Sequence, residues 1–246
     1  MSFFVLPVVV TASALASPSE VASLKAEVIE RAKAISGRGD PDFSLQRQLD
    51  PLVRRLVEIS RGVPVAERMH VLEGTWKQVW GPYNYRAQDR TVDPTLETSS
   101  IYQHVRADGS YFNACIVYEK GDRTRPRVSL LRGKLSPVPT NANQLRFQFT
   151  EYLKVVGERE RQLGMPELAA RFSRGEVKEA RTVLPGWLVR VLSSEGILEE
   201  VYTDETLRLL YAFPAGAPER AHLYVMTRVT PASTPAVERP PLASGD

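Results

Sequence analysis

One cysteine, Cys115, stands among 246 residues, which excludes an intrachain disulfide framework. It lies in an apolar alternating run with no basic residue in its own strand to lower its pKa. It therefore reads as a buried thiol acting as a small hydrophobe. Histidine is equally scarce: His70, His104 and His222 stand apart, with no metal-ligand spacing around them, so no metal site is expected. Neither a Gly-x-Ser-x-Gly elbow nor a P-loop occurs, which removes the usual hydrolase and nucleotide signatures. An excess of one charge is missing too. The chain carries 32 Lys and Arg against 29 Asp and Glu, a net +3, with the two signs interleaved. No basic cluster with aromatics between its members appears, so nucleic acid is not an expected partner.

The N-terminal apolar run Phe3–Val10 is too short to span a bilayer. Followed by Ala14-Leu15-Ala16 and Ser17-Pro18, it resembles a secretory signal, although no Lys or Arg precedes it. Residues 1–16 are read as a signal peptide. The expected location is then the periplasm or cell envelope, with the cytoplasm as the alternative. Ser19 is placed as the N-cap of a helix running to about Ser36, where Gly37 and Gly39 stop it. Arg38-Gly39-Asp40 spells an adhesion tripeptide but reads as the loop that ends this helix. A second helix is expected from Leu45 to Arg61, its apolar stripe built on Leu49, Leu52, Val53, Leu56 and Val57. Residues 17–72 thus form a helical pair.

From Glu73 the period changes to alternation. Trp76, Gln78 and Trp80 share one face of the first strand. Strands follow at Ser99–Arg106 and Ser110–Glu119, with Asp108-Gly109 as a hairpin turn between them. In the second of these, Phe112, Ala114, Ile116 and Tyr118 share a side. Further strands are expected at Arg127–Leu135, around Leu145, Phe147 and Phe149, and at Gly196–Thr203, Glu205–Phe213 and Arg220–Val229. A charge-rich insertion, 153–184, contains a helix at Pro166–Arg174. Residues 73–230 are therefore read as the barrel domain and 231–246, rich in Pro, Ala, Ser and Thr, as a disordered tail. Seven or eight strands with short turns and no βαβ alternation predict a mainly β fold: an up-and-down antiparallel barrel with two N-terminal α-helices.

Several segments carry a family likeness: Leu24-Lys25 with Gly37-Arg38-Gly39, then Leu72-Glu73-Gly74-Thr75-Trp76, then Tyr202-x-Asp204-Glu205-x-Leu207-Arg208. Taken in that order over Ser19–Val229, they resemble the plastid lipid-associated protein (fibrillin, or plastoglobulin) family, in its bacterial form. The resemblance marks Gly74, Trp76, Tyr202, Asp204 and Arg208 as motif residues. It implies a lipocalin-like barrel that binds or sequesters lipophilic molecules, in some members from prenylquinone or carotenoid pools, and an association with lipid surfaces.

From the residues themselves, Trp76, Trp80, Tyr102, Phe112, Phe147, Phe149, Tyr202 and Tyr224 alternate along strands. They are expected to line the barrel interior. Arg228 in the last strand is placed to stack on Trp76. Asp204 is expected to fix a tight turn by accepting from free amides, and any Asp204–Arg208 pair would lie at the surface. The expected function is non-catalytic binding of a small hydrophobic ligand (a lipid, quinone or carotenoid-like pigment) with no cofactor. The alternative is a filled barrel that docks a protein partner or membrane surface. A third reading is a barrel isomerase using tyrosines and a carboxylate, for which strand alternation offers no positioned acid–base pair.

Overall fold

The computed structural model describes residues 17–36, 40, 42–60, 69–81, 96–181 and 195–229. The signal read over 1–16, the tail 231–246 and the end of the insertion at 182–184 lie outside them. The strands are β1 (Gly74–Trp80), β2 (Leu96–Val105), β3 (Ser110–Glu119), β4 (Asp122–Val138), β5 (Asn141–Val155), β6 (Glu179–Arg181), β7 (Glu195–Thr203), β8 (Leu207–Pro214) and β9 (His222–Arg228). Every pairing is antiparallel. The order β4-β3-β2-β1-β9-β8-β7-β5 closes through a β4–β5 pairing, which makes an eight-stranded barrel; β6 adds a short flap to the edge of β5. Closure removes the open edges that an antiparallel sheet otherwise presents.

Alternation puts one set of side chains inside and two sets outside. Trp76, Tyr111, Leu135, Leu145, Leu198, Leu210 and Met226 form the inner cluster, with Leu72 from the short helix α3 (Met69–Leu72) closing one end. Their strand neighbours point outward. On β8 and β9 these are Leu207, Leu209, Leu223 and Val225, covered by Val28, Leu49, Val53 and Leu56 of two helices, α1 (Pro18–Ala34) and α2 (Gln46–Ser60). Leu49 and Leu56 are fully buried there, each stabilising the packing by about 1.5–3 kcal/mol relative to exposure. On the far side, Phe112, Ala114, Leu130 and Leu153 are covered by Met165, Leu168 and Ala169 of α5 (Met165–Ser173), which follows a single turn, α4 (Glu158–Arg161). The charge-rich insertion is thus a lid on the outside wall, beginning only after β5 has run on to Val155.

Local chemistry sets the helix starts. The cap of α1 is Ser17, not Ser19: its Oγ accepts from the Glu20 amide at 3.2 Å, and Pro18 fits the first helical position. The α2 start is held by Asp40, whose carboxylate accepts the amides of Leu45 at 2.9 Å and Gln46 at 2.7 Å. Asp40 is buried in this role and cannot serve as an exposed adhesion residue. Gln46 in turn accepts the Leu223 amide, and Asp50 accepts the Tyr211 hydroxyl at 3.0 Å, so polar contacts fix α2 to the barrel wall. Among the described residues, no helix is long and apolar enough to cross a membrane.

Candidate functional site

Among the described residues, the side chains leave the barrel interior partly empty. Two adjoining hollows of about 200 and about 130 Å³ lie inside it. Gln78, Ile101, Asn113 and Tyr224 border both. The larger one is walled by Tyr111, Phe147, Phe149, Leu198, Leu210 and Met226; the smaller reaches Cys115, Ser129 and Tyr152. Tyr152 donates its hydroxyl to Ser129 at 3.1 Å. The lining is mostly apolar and aromatic, with a few amides and phenols, as in small-molecule sites generally.

Of the eight aromatics expected inside, Trp76, Phe147, Phe149 and Tyr224 belong to the inner cluster. The other four require correction. Trp80 and Tyr202 lie outside, under α1 and α2, because a bulge in each strand reverses the facing. In β1 the register slips between Gln78 and Trp80; in β7 it slips between Glu200 and Tyr202. One inserted residue sends every later side chain to the opposite face. Phe112 and Tyr102 alternate as expected but on the outer face, since α5 gives that face its apolar cover. Tyr102 borders the larger hollow, yet its ring packs with the outer cluster and lies 6.0 Å from the Lys77 ammonium.

Alternation from the other side of β3 brings in Tyr111, which the sequence reading passed over. Its ring leans across Gly133 on β4, where a Cβ would come within 2.7 Å of it. The glycine is what makes room for an aromatic ring there. Tyr111 is only 2 % exposed and its hydroxyl has no hydrogen-bond partner among the described residues. Burial pushes its pKa far up, so the phenol stays neutral, although the Arg208 charge acts in the opposite direction.

Arg208 and Glu200 form a buried ion pair, 0 % and 1 % exposed. Arg208 Nε donates to both Glu200 oxygens, at 3.1 and 3.0 Å, and Nη2 donates to Oε1. Nη1 donates to Gln103 Oε1, and Thr203 donates to Glu200 at 3.1 Å. The charge pair therefore stands inside, and Arg208 does not meet Asp204 at the surface.

The other motif residues build the closed end. Arg228 lies 4.3 Å from the Trp76 ring. It donates to the carbonyls of Glu205 at 2.8 Å, Glu73 at 2.5 Å and Val71. Trp76 Nε1 donates to Leu72 O at 2.8 Å. Gly74 leaves the guanidinium its space: it has φ +124°, and a Cβ there would stand 2.5 Å from Arg228 Nη1. The Gly-x-Trp spacing is thus a seat for Arg228.

Asp204 fixes the β7–β8 turn, accepting the amides of Thr206 at 2.7 Å and Leu207 at 2.9 Å. It also accepts from Tyr202 at 2.7 Å and from Lys25 Nζ at 2.6 Å, so the first motif segment meets the last. Partial burial would raise its pKa. The hydrogen bonds from Lys25, Tyr202 and the two amides outweigh burial and hold it well below the usual carboxylate range. A depressed folded-state pKa gives stability that is fully present above the unfolded value of about 4 and lost as pH falls toward the folded value. Asp204→Asn should cost about 1–2 kcal/mol at pH 7, with the gap to the parent closing between pH 4 and pH 2. Thermal melts at both ends of that range check it; a constant gap would refute the assignment.

Among the described residues, no three His, Cys, Asp or Glu side chains cluster to hold a metal ion. Compared with known proteins, the chain matches no family profile and no curated protein.

Proposed function

We propose that the protein binds or sequesters a small lipophilic molecule inside its barrel and performs no chemistry on it. The observation that carries this reading is the pair of adjoining aromatic-walled hollows inside a closed eight-stranded barrel. An apolar cavity of about 150 Å³ is enough for a benzene-sized guest, so the two lobes suit a fused-ring compound or a short apolar chain. Burying about 300 Å² of apolar ligand supplies on the order of 7 kcal/mol gross. Rigid-body and ordering costs subtract several kcal/mol, so burial of that size alone gives roughly millimolar affinity. A fused-ring guest filling both lobes reaches the roughly 8 kcal/mol of a micromolar complex by burying about 450 Å² or more. The resemblance to plastid lipid-associated proteins supports the same reading. Membership of that family, association with a lipid surface and export to the envelope belong to the proposal, and N-terminal sequencing of the mature chain tests export.

N-phenyl-1-naphthylamine, a neutral fused-ring fluorophore, should bind saturably at micromolar concentration with a rise in emission. Ala212 lies in the lining of the larger hollow. Ala212→Trp should fill that space and weaken binding by about tenfold or more while the far-UV spectrum stays unchanged, as displaced burial of this size implies. No saturation in the parent, or equal binding by the filled variant, defeats interior binding. The second outcome would favour a docking surface on the outer wall.

A further inference from the structure

Resting on that reading, we infer that the guest is neutral and carries a hydrogen-bond acceptor, a carbonyl on an apolar ring system, which the Tyr111 hydroxyl and the Asn113 amide receive. Two independent observations lead there.

The first is the Tyr111 hydroxyl. It belongs to a side chain that is 2 % exposed and walls the larger hollow, and among the described residues it has no partner. A buried hydroxyl left unpaired costs about 1–3 kcal/mol. An apolar barrel with a phenylalanine here would avoid that cost. A ligand acceptor would remove it on binding.

The second is a relay of amide orientations that starts at the buried charge. Arg208 has donors only, so Gln103 must turn its oxygen toward Nη1. That turns the Gln103 NH2 toward Asn113, whose Oδ1 accepts it at 3.0 Å. Asn113 is thereby obliged to turn its own NH2 away from Gln103, and Asn113 borders both hollows. The ion pair thus sets one amide as a donor beside the phenol. Both groups are neutral, and among the described residues the cation that acts on Tyr111, Arg208, is balanced by Glu200. An anionic guest would lose its hydration with no unbalanced cation to receive it.

The test uses two neutral naphthalene probes that differ in the acceptor. Prodan, 6-propionyl-2-(dimethylamino)naphthalene, has a carbonyl whose emission reports hydrogen bonding; N-phenyl-1-naphthylamine has none. Tyr111→Phe should weaken Prodan binding about three- to tenfold, the value of one neutral hydrogen bond, and blue-shift its bound emission. The same change should leave N-phenyl-1-naphthylamine binding as it was. It should also leave the melting temperature of the ligand-free protein unchanged or raised, since an unpaired hydroxyl has been removed. The anionic 8-anilinonaphthalene-1-sulfonate should not displace Prodan at comparable concentration. Unchanged Prodan affinity in Tyr111→Phe, equal weakening of both probes, or a fall in the ligand-free melting temperature each overturns the acceptor site while interior binding stands. Ready displacement by the sulfonate overturns the neutral class. Failure of both probes to saturate the parent protein sinks the binding proposal and this inference together.

Discussion

Arg208→Met should lower the melting temperature by about 6–20 °C, the largest effect expected of any interior substitution. The side chain is fully enclosed, and its partner Glu200 is enclosed with it. Removing one member of a buried pair leaves the other charged and unpaired, which costs about 3–5 kcal/mol. For a chain of this size each kcal/mol moves the melting temperature by about 2–4 °C. Methionine nearly matches arginine in reach, so lost volume is a minor part of the change. The same physics makes the double variant informative. Arg208→Met with Glu200→Leu removes both charges, and replacing a buried pair by apolar groups is often neutral or better. The double variant should therefore recover most of the lost stability, giving a coupling of several kcal/mol in a double-mutant cycle. A double variant no more stable than Arg208→Met alone would mean that the pair is not the source of the effect. If stability recovers, the value of the pair lies in what it orients. Gln103 would lose the donor that fixes its amide, and Asn113 would lose its set direction. Prodan should then bind the stable double variant more weakly than it binds the parent.

The barrel could be read from the sequence because its strands alternate cleanly and its turns carry their own chemistry. Ser110–Glu119 coincides with β3, and the Asp108-Gly109 turn is held as expected, by an Asp108 carboxylate that accepts the Ser110 amide at 2.9 Å. What alternation leaves open is the sign of each face. A barrel strand with helices outside has two apolar faces, so Phe112 and Tyr111, adjacent in sequence, were equally eligible for the interior. The cover from Leu168 and Ala169 decides between them. Bulges are the second obstacle. Trp80 follows Trp76 at an even spacing, and no residue between them marks the slip that turns it outward. The polar centre was half legible. Arg208 stood out as a motif residue, but its partner was sought at Asp204, four residues away. Glu200 lies across the β7–β8 hairpin, and the bulge at Val201 brings it to the same face as Arg208.

Arg228→Ala should be nearly as damaging, at about 3–5 kcal/mol, and should change the tryptophan emission. The guanidinium ties two chain segments to β9, through the carbonyl of Glu205 in the β7–β8 turn and those of Val71 and Glu73 at the end of α3. It adds to the backbone bonds that the Arg228 amide makes to Thr206 O at 3.0 Å and the Val229 amide to Thr75 O at 2.8 Å. Carbonyls at a helix C-terminus have no partner within the helix, so their loss is not made good locally. Hydrogen bonds from a charged donor contribute about 1.5–3 kcal/mol each. The contact with Trp76 adds about 0.5–2 kcal/mol. These do not sum, because the released carbonyls regain water at a partly exposed site. Arg228→Lys keeps the charge but not the planar fork, and should restore less than half of the loss. Gly74 then separates sterics from backbone strain. Gly74→Ala places a methyl 2.5 Å from Arg228 Nη1 and forces an L-residue to φ +124°. The collision disappears when Arg228 is already alanine, while the dihedral cost of about 1–3 kcal/mol remains. Gly74→Ala should therefore be less costly in the Arg228→Ala background than in the parent. Equal cost in both would show that the glycine serves the backbone alone, and unchanged emission and melting temperature in Arg228→Ala would remove the seat from the account of this fold.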